Sequence, residues 1–429
     1  MNWKKNTMAK IKKIQAYEII DSRGVPTIEG RLFLDNGAVV VSSVPAGSSI
    51  GKYEAVELRD GDPKRFDGMG VSRAVANINQ LIAPKLIGAS PQKQQEIDYW
   101  LIKADGTTNM SKIGANCSLV LSQLMVKAAA LELNLPLYKY ISQLYETLYK
   151  EKIKIERIPS PIFNCLNGGK HASNNLEFQE FQLIPSSSYT FGDAYRMAVE
   201  LYHELQRVLH YRNANLSVGE EGGFAPNFSA NVDALEVLNE TINKKGLKIG
   251  LDVFLGLDIA SSNFFKDNRY IIRDKQRPLK PEEYFDFVLN LTQTYSLLIL
   301  EDPLNQDDWE SWIKLNSMIS KQIYLVGDDL LTTNKERLQK AIKDKACTTI
   351  LVKPNQIGTI TQTLEVINIA RKNNFNYIVS HRSGETNDSF IADFAVGVQS
   401  DFVKFGAPSR GERVAKYNRL WQIERDGLV

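Results

Sequence analysis

The chain has 429 residues, enough for two or three domains, and its apolar share of 43% supports large cores. Lysine and arginine exceed aspartate and glutamate by only two, 52 against 50, so the overall charge points neither to nucleic acid nor to an anionic membrane. No apolar run approaches the length of a membrane span, and the three cysteines, Cys117, Cys165 and Cys347, form no C-x-x-C pair, which reads as core thiols in a reducing, cytoplasmic compartment.

Residues 1–13 are basic but lack a following apolar stretch, so no secretory signal is expected there, and the absence of arginine argues against a mitochondrial presequence. Polar and apolar residues then alternate from Ile14 to Ile20 and from Thr27 to Leu34. The turn residues Asp35-Asn36-Gly37 follow, and Ala38 to Ser42 continues as a third strand, which predicts an antiparallel meander. From Val71 to about Leu144 the apolar spacing becomes three and four, clearest over residues 71–87 and 117–133, which predicts helices. Strands followed by helices make residues 1–145 an α+β unit. The charged segment from Lys150 to Arg157 reads as the connection to a second unit, residues 146–429. A solvated helix end or strand edge is equally compatible with that segment.

In the second unit one pattern recurs: a short apolar run ending in a charged or hydrogen-bonding residue. Val253 to Leu257 ends at Asp258, Ser296 to Leu300 at Glu301, Ile323 to Gly327 at Asp328, and Thr348 to Val352 at Lys353. Tyr377 to Ser380 ends at His381, and Asp401 to Val403 at Lys404. Such runs, separated by helical segments, predict parallel strands buried on both faces. Any one of these residues alone is more often just a polar strand end. Six in register place Asp258, Glu301, Asp328, Lys353, His381 and Lys404 on one rim, where a β/α barrel keeps its chemistry. Three converging carboxylates call for a hard cation, and oxygen ligands suit Mg²⁺; two lysines beside it offer a base and a fixed positive charge.

Four polar, glycine-containing strings lie between the elements: Asp21-Ser22-Arg23-Gly24, residues 45–51 (Pro-Ala-Gly-Ser-Ser-Ile-Gly), residues 167–174 beginning Asn167-Gly168-Gly169, and Gly219-Glu220-Glu221-Gly222-Gly223. The second is small and flexible enough to close over a ligand. Of four histidines, His171 and His381 lie in such strings. His203 and His210 sit seven apart on an apparent helix and read as structural or exposed.

These strings, in this order, resemble the enolase family. The most specific is Ser380-His381-Arg382-Ser383-Gly384-Glu385-Thr386. Leu58-Arg59-Asp60-Gly61-Asp62, Gly327-Asp328-Asp329-Leu330, Asn355-Gln356-Ile357-Gly358 and Arg413-Val414-Ala415-Lys416-Tyr417-Asn418 add to it. The resemblance spans nearly the whole chain. It implies an α/β protein with an N-terminal α+β capping domain over a C-terminal β/α barrel that starts irregularly, with two strands and two helices. It also implies the reversible dehydration of 2-phosphoglycerate to phosphoenolpyruvate. The implied assembly is a homodimer or higher homo-oligomer, cytoplasmic, with an additional cell-surface presence in some relatives.

By the same resemblance two Mg²⁺ ions serve each site. Asp258, Glu301 and Asp328 hold the tight one, and Ser49 holds the second, which arrives with substrate and contacts its phosphate. Lys353 is the implied base that takes the α-proton, its ammonium pKa lowered by Mg²⁺ and Lys404. Lys404 is implied to bind the substrate carboxylate, although the sequence alone does not choose between the two lysines as base. Glu221 is the implied acid for the departing hydroxyl, with Glu180 as a partner sharing one proton. Gln179 supports them from nearby. Arg382 and Ser383 are implied to grip the phosphate, His171 to approach on loop closure, and His381 to lie near the carboxylate or to be purely structural. Arg23 orders polar groups between the domains.

Val25, Ala46, Ile50, Glu220, Pro354 and Phe405 depart from the usual family pattern without removing a charge the chemistry needs. Two rival readings remain: a non-catalytic protein that keeps the fold for binding, and a related enzyme acting on a non-phosphorylated acid. Retention of the acid, base and metal residues weighs against the first. Ser49, Arg382 and Ser383 weigh against the second.

Overall fold

The computed structural model describes residues 9–47, 51–319 and 321–428. The alternating segment folds as expected into β1 (Ile11–Ile20), β2 (Pro26–Leu34) and β3 (Val39–Ser43), an antiparallel sheet in that order. Gly37 makes the hairpin turn at φ +91°, where a side chain would be strained. The buried face of this sheet, with Ile14, Ala16, Ile28 and Leu32, packs on helix Ala115–Glu132. The approach is so close that a Cβ at Gly30 would lie 2.7 Å from Leu124 Cδ1.

The helix expected over residues 71–87 is interrupted. It runs as an α-helix over Ser72–Ala76, widens to a π-turn over Asn77–Ile82 and closes as Ala83–Leu86. Pro84 explains this, since it has no N–H to complete the regular ladder. Helices Gln94–Asp105, Ala115–Glu132 and Leu137–Tyr149 follow. Among the described residues no single helix is long and apolar enough to cross a membrane. Residues 150–159 carry neither helix nor strand.

The remainder is a closed barrel. Its first strands are β4 (Ser160–Asn167), β5 (Glu180–Pro185) and β6 (Val253–Asp258). After a small ribbon, β7 (Phe265–Lys266) and β8 (Arg269–Tyr270), come β9 (Leu297–Glu301), β10 (Tyr324–Gly327) and β11 (Thr349–Val352). Strands β12 (Asn376–Ser380) and β13 (Phe402–Lys404) complete the circle, and β13 pairs back onto β4. Two strands and two helices, Phe191–Tyr211 and Asn231–Lys244, precede β6, so the start is irregular. From β6 through β9 to β13 and on to β4 the pairings are parallel, whereas β5 is antiparallel to both its neighbours. Ile162, Ile184, Ile299, Val326, Leu351, Ile378 and Phe402 point inward and form a separate apolar plug.

Candidate active site

Parallel pairing brings Asp258 and Glu301 level at the ends of β6 and β9, and Asp328 follows β10 directly. Glu180 joins them from the other direction. Because β5 runs antiparallel, its first residue pairs with Asp258 at the same rim. Lys404, the last residue of β13, reaches across. Its Nζ donates to Glu301 Oε1 and Oε2 at 2.9 and 2.8 Å, to Glu180 Oε1 at 3.2 Å and to Asp258 Oδ2 at 3.3 Å. Lys353 Nζ donates to Asp328 Oδ2 at 2.5 Å. All these groups are buried except Lys353, which is half-buried.

The electrostatics follow from the crowding. Burial, then the charges of Asp258 and Asp328, push the Glu301 carboxyl well above the usual range. Burial would lower Lys404, but the surrounding carboxylates outweigh it and hold its ammonium well above the ordinary value. Lys353 is likewise raised: burial opposes the charge, and Asp328 more than compensates. The protein's own groups thus act against the lowered pKa expected of a base, because Asp328 lies in contact and Lys404 farther off. Asp328 itself is held low, burial being outweighed by Lys353 and Lys404.

These residues fit an oxygen-coordinated cation. Buried carboxylates crowd one rim, and Asp258 Oδ1 is buried without any hydrogen-bond donor. The three predicted ligands nevertheless do not form one tight group. Lys404 Nζ donates to both Asp258 and Glu301, whereas Asp328 accepts from Lys353 Nζ and Gln356 Nε2. Among the described residues, the acidic or histidine groups whose ligand atoms all lie within 4.8 Å are Asp302–Asp328–Asp329 and His171–Glu180–Glu221. Asp302, which sequence reasoning passed over, sits at φ +41° and accepts the Asp328 and Asp329 backbone N–H groups at 3.0 and 2.6 Å. It fixes the turn that carries Asp328.

The second group sits beside the first. His171 Nδ1 lies 3.6 Å from Glu180 Oε1 and 3.5 Å from Glu221 Oε1, so this loop histidine is already packed inward. Glu221 also faces His381 Nε2 at 3.3 Å and accepts from Asn164 Nδ2 at 2.9 Å. Burial and the charge of Glu221 drive Glu180 well above its usual range. In Glu221 burial acts the same way, but the facing His381 ring and the charge of Arg413 outweigh it and the carboxyl stays low. Gln179 donates to Asp258 Oδ2 at 3.2 Å, which ties the glutamate strand to the carboxylate rim.

Arg382 is buried and already forked: Nη1 meets Glu54 Oε2 at 2.8 Å and Asn355 Oδ1 at 2.9 Å, and Nη2 meets Glu54 Oε1 at 3.3 Å. Glu54, contributed by the first domain, also went unforeseen, since no local pattern marks it. Ser383 is buried beside Arg382. Ser49, and Ile50 with it, lie outside the described residues.

The first domain docks on the loop after β12. Ala46 and Gly384 exchange backbone hydrogen bonds at 2.9 and 3.0 Å, and Ser22 N donates to Glu385 O at 2.8 Å. Arg23 pairs with Asp21 at 2.9 Å against Gly384, where a Cβ would meet Asp21 Oδ2 at 2.2 Å. Arg23 thus lies where the first domain meets the loop after β12. Pro354 opens the short turn Pro354–Gln356 after Lys353, a position where a missing N–H costs nothing. His203 and His210 are exposed on helix Phe191–Tyr211, and the three cysteines are buried free thiols.

Comparison with known proteins agrees with this geometry. Residues 155–427 match the family model "Enolase, C-terminal TIM barrel domain", and residues 11–141 match "Enolase, N-terminal domain". A curated enolase of Ehrlichia canis (strain Jake) is 45% identical over 415 residues, covering 97% of this chain and 96% of its own length.

Proposed function

We propose a division of labour among these side chains on one premise: the chain belongs to the enolase family and is a hydro-lyase that interconverts 2-phospho-D-glycerate with phosphoenolpyruvate and water. Loss of the α-proton puts further charge on a substrate that is already a carboxylate. Asp258, Glu301 and Asp328 would hold one Mg²⁺ and Ser49 a second together with the phosphate, and the bound ions would offset that charge.

Lys353 takes the α-proton. The observation that carries this choice is the unequal grip on the two lysines: Lys404 is fastened to Glu180, Asp258 and Glu301 together, Lys353 to Asp328 alone. A cation held by Asp328 would free Lys353, whereas Lys404 stays charged and receives the substrate carboxylate. Hydroxide then leaves the neighbouring carbon and takes the proton of the glutamate pair, which passes from Glu180 by way of Glu221, giving water. His171 and Gln179 hold that pair in place. Arg382 and Ser383 receive the phosphate, Arg382 sharing its fork with Glu54.

We further place the enzyme in the cytoplasm as a homodimer or larger assembly. Three buried free thiols support the reducing compartment. The outer face of the first sheet, where Tyr17, Val39 and Val41 are exposed, supports a partner subunit. The deciding assay adds 2-phosphoglycerate and Mg²⁺ and follows the absorbance of phosphoenolpyruvate with and without a chelator. Absence of product with Mg²⁺ present would overturn the assignment.

A further inference from the structure

Arg413 lies in helix Gly411–Ile423, outside the rim, and is wholly buried. Its guanidinium has four acceptors for the four hydrogens on its two terminal nitrogens. Nη1 meets His381 Nδ1 at 2.7 Å and Arg382 O at 2.6 Å; Nη2 meets Glu220 O at 3.1 Å and also Ser383 O. One side chain therefore fastens the loop after β12 to the loop that carries Glu221. Gly406, at φ +88°, leaves the room: a Cβ there would stand 3.0 Å from both Arg413 Cδ and His381 Cε1.

A guanidinium only donates and is not deprotonated in proteins. At 2.7 Å from Arg413 Nη1, His381 Nδ1 must then be the acceptor and carry no hydrogen. The ring hydrogen belongs on Nε2, which faces Glu221 Oε1 at 3.3 Å. That contact falls short of full hydrogen-bond alignment at rest, as is common for catalytic pairs before substrate binds. An imidazolium is excluded as well, since both its nitrogens would be donors and Nδ1–H would meet an N–H.

We propose that Arg413 is a positioning residue that locks His381 in its neutral Nε2–H tautomer, so that His381 can only donate toward Glu221. Glu221 is thereby kept an acceptor, and the proton of the glutamate pair is kept on Glu180 until the hydroxyl departs. This role rests on the reading of the glutamate pair given above. His381 is also pushed down to about 3, by burial first, with Arg413 adding to it against the attraction of Glu221, which agrees with a neutral ring.

The test is the ring ¹⁵N–¹H correlation spectrum of the full chain labelled with ¹⁵N-histidine, the His381 signals being identified by their loss in His381→Gln. A ring protonated at Nε2 alone, unchanged from about pH 5 to 8, is expected. Arg413→Lys, still a pure donor, should keep that pattern. Arg413→Gln, whose amide oxygen can accept from Nδ1–H, should admit the other tautomer and lower kcat about 100-fold while KM shifts little. An Nδ1–H ring or an imidazolium in the unmodified chain at neutral pH overturns the proposal. So does an Arg413→Gln chain that loses activity with its tautomer unchanged. Should Arg413→Gln fail to fold, the spectrum of the unmodified chain decides alone. A chain that forms no phosphoenolpyruvate would sink the functional reading and leave the ring spectrum as a separate result.

Discussion

Lys404 Nζ stands 2.8 Å from Glu301 Oε2, an ammonium at the end of β13 set on the carboxylate that ends β9. Both are buried, and Asp258 and Glu180 share the same cation. Without it these carboxylates would repel in a medium that screens poorly. Lys404→Ala should therefore lose about 3–5 kcal/mol of stability in chelator, the cost of leaving buried charge unpaired. Added Mg²⁺ should recover more stability in the variant than in the unmodified chain, because it then supplies the missing positive charge. Urea unfolding with and without Mg²⁺ measures both effects, and equal Mg²⁺ responses would refute the shared-site account.

Lys353→Ala should reduce exchange of the substrate α-proton with solvent deuterium by about 10²–10⁴-fold, the usual contribution of a positioned base. The measurement is deuterium incorporation into 2-phosphoglycerate by NMR. Normal exchange in that variant would move the base assignment to Lys404.

Glu221→Gln separates the two halves of the reaction. It keeps the shape and the Asn164 contact but removes the group through which the Glu180 proton reaches the leaving hydroxyl. Phosphoenolpyruvate formation should be blocked while some α-proton exchange survives. If both activities vanish together, Glu221 also acts in the first step.

Beyond the loop that carries Arg382, Asp388 joins the two domains: Lys127 Nζ donates to its Oδ1 at 2.8 Å and Ser43 N to its Oδ2 at 2.9 Å. Burial would raise this carboxyl, but Lys127 and the backbone donors outweigh it and hold it below its ordinary value. A depressed folded-state pKa means stability that is present above the unfolded value of about 3.9 and lost as pH falls through the folded one. Lys127→Met should shift acid unfolding to higher pH and cost about 1–3 kcal/mol at neutral pH. An unchanged acid transition, followed by circular dichroism, would show that the pair does not couple the domains.

The antiparallel meander, the helical stretch after it and the series of buried strands ending in charge were all legible, because each is a local period in the chain. The rim residues Asp258, Glu301, Asp328, Lys353, His381 and Lys404 were legible for the same reason: a parallel strand fixes which of its ends faces the site. Pro84 interrupted one predicted helix, through a backbone donor that the apolar spacing does not register.

What the sequence by itself determined is thus the set of charged strand ends and the side of the barrel on which they open. Only the tertiary structure decided how those charges are paired. The reversed direction of β5 sets Glu180 at the rim from the start of its strand, and Arg382 finds Glu54 across 328 residues of chain. Arg413 reaches the backbones of two loops and the ring of His381. The physical reason is that periodicity is written over a few neighbouring residues. The partner of a buried charge is chosen by whichever distant group the closed barrel brings within hydrogen-bond reach.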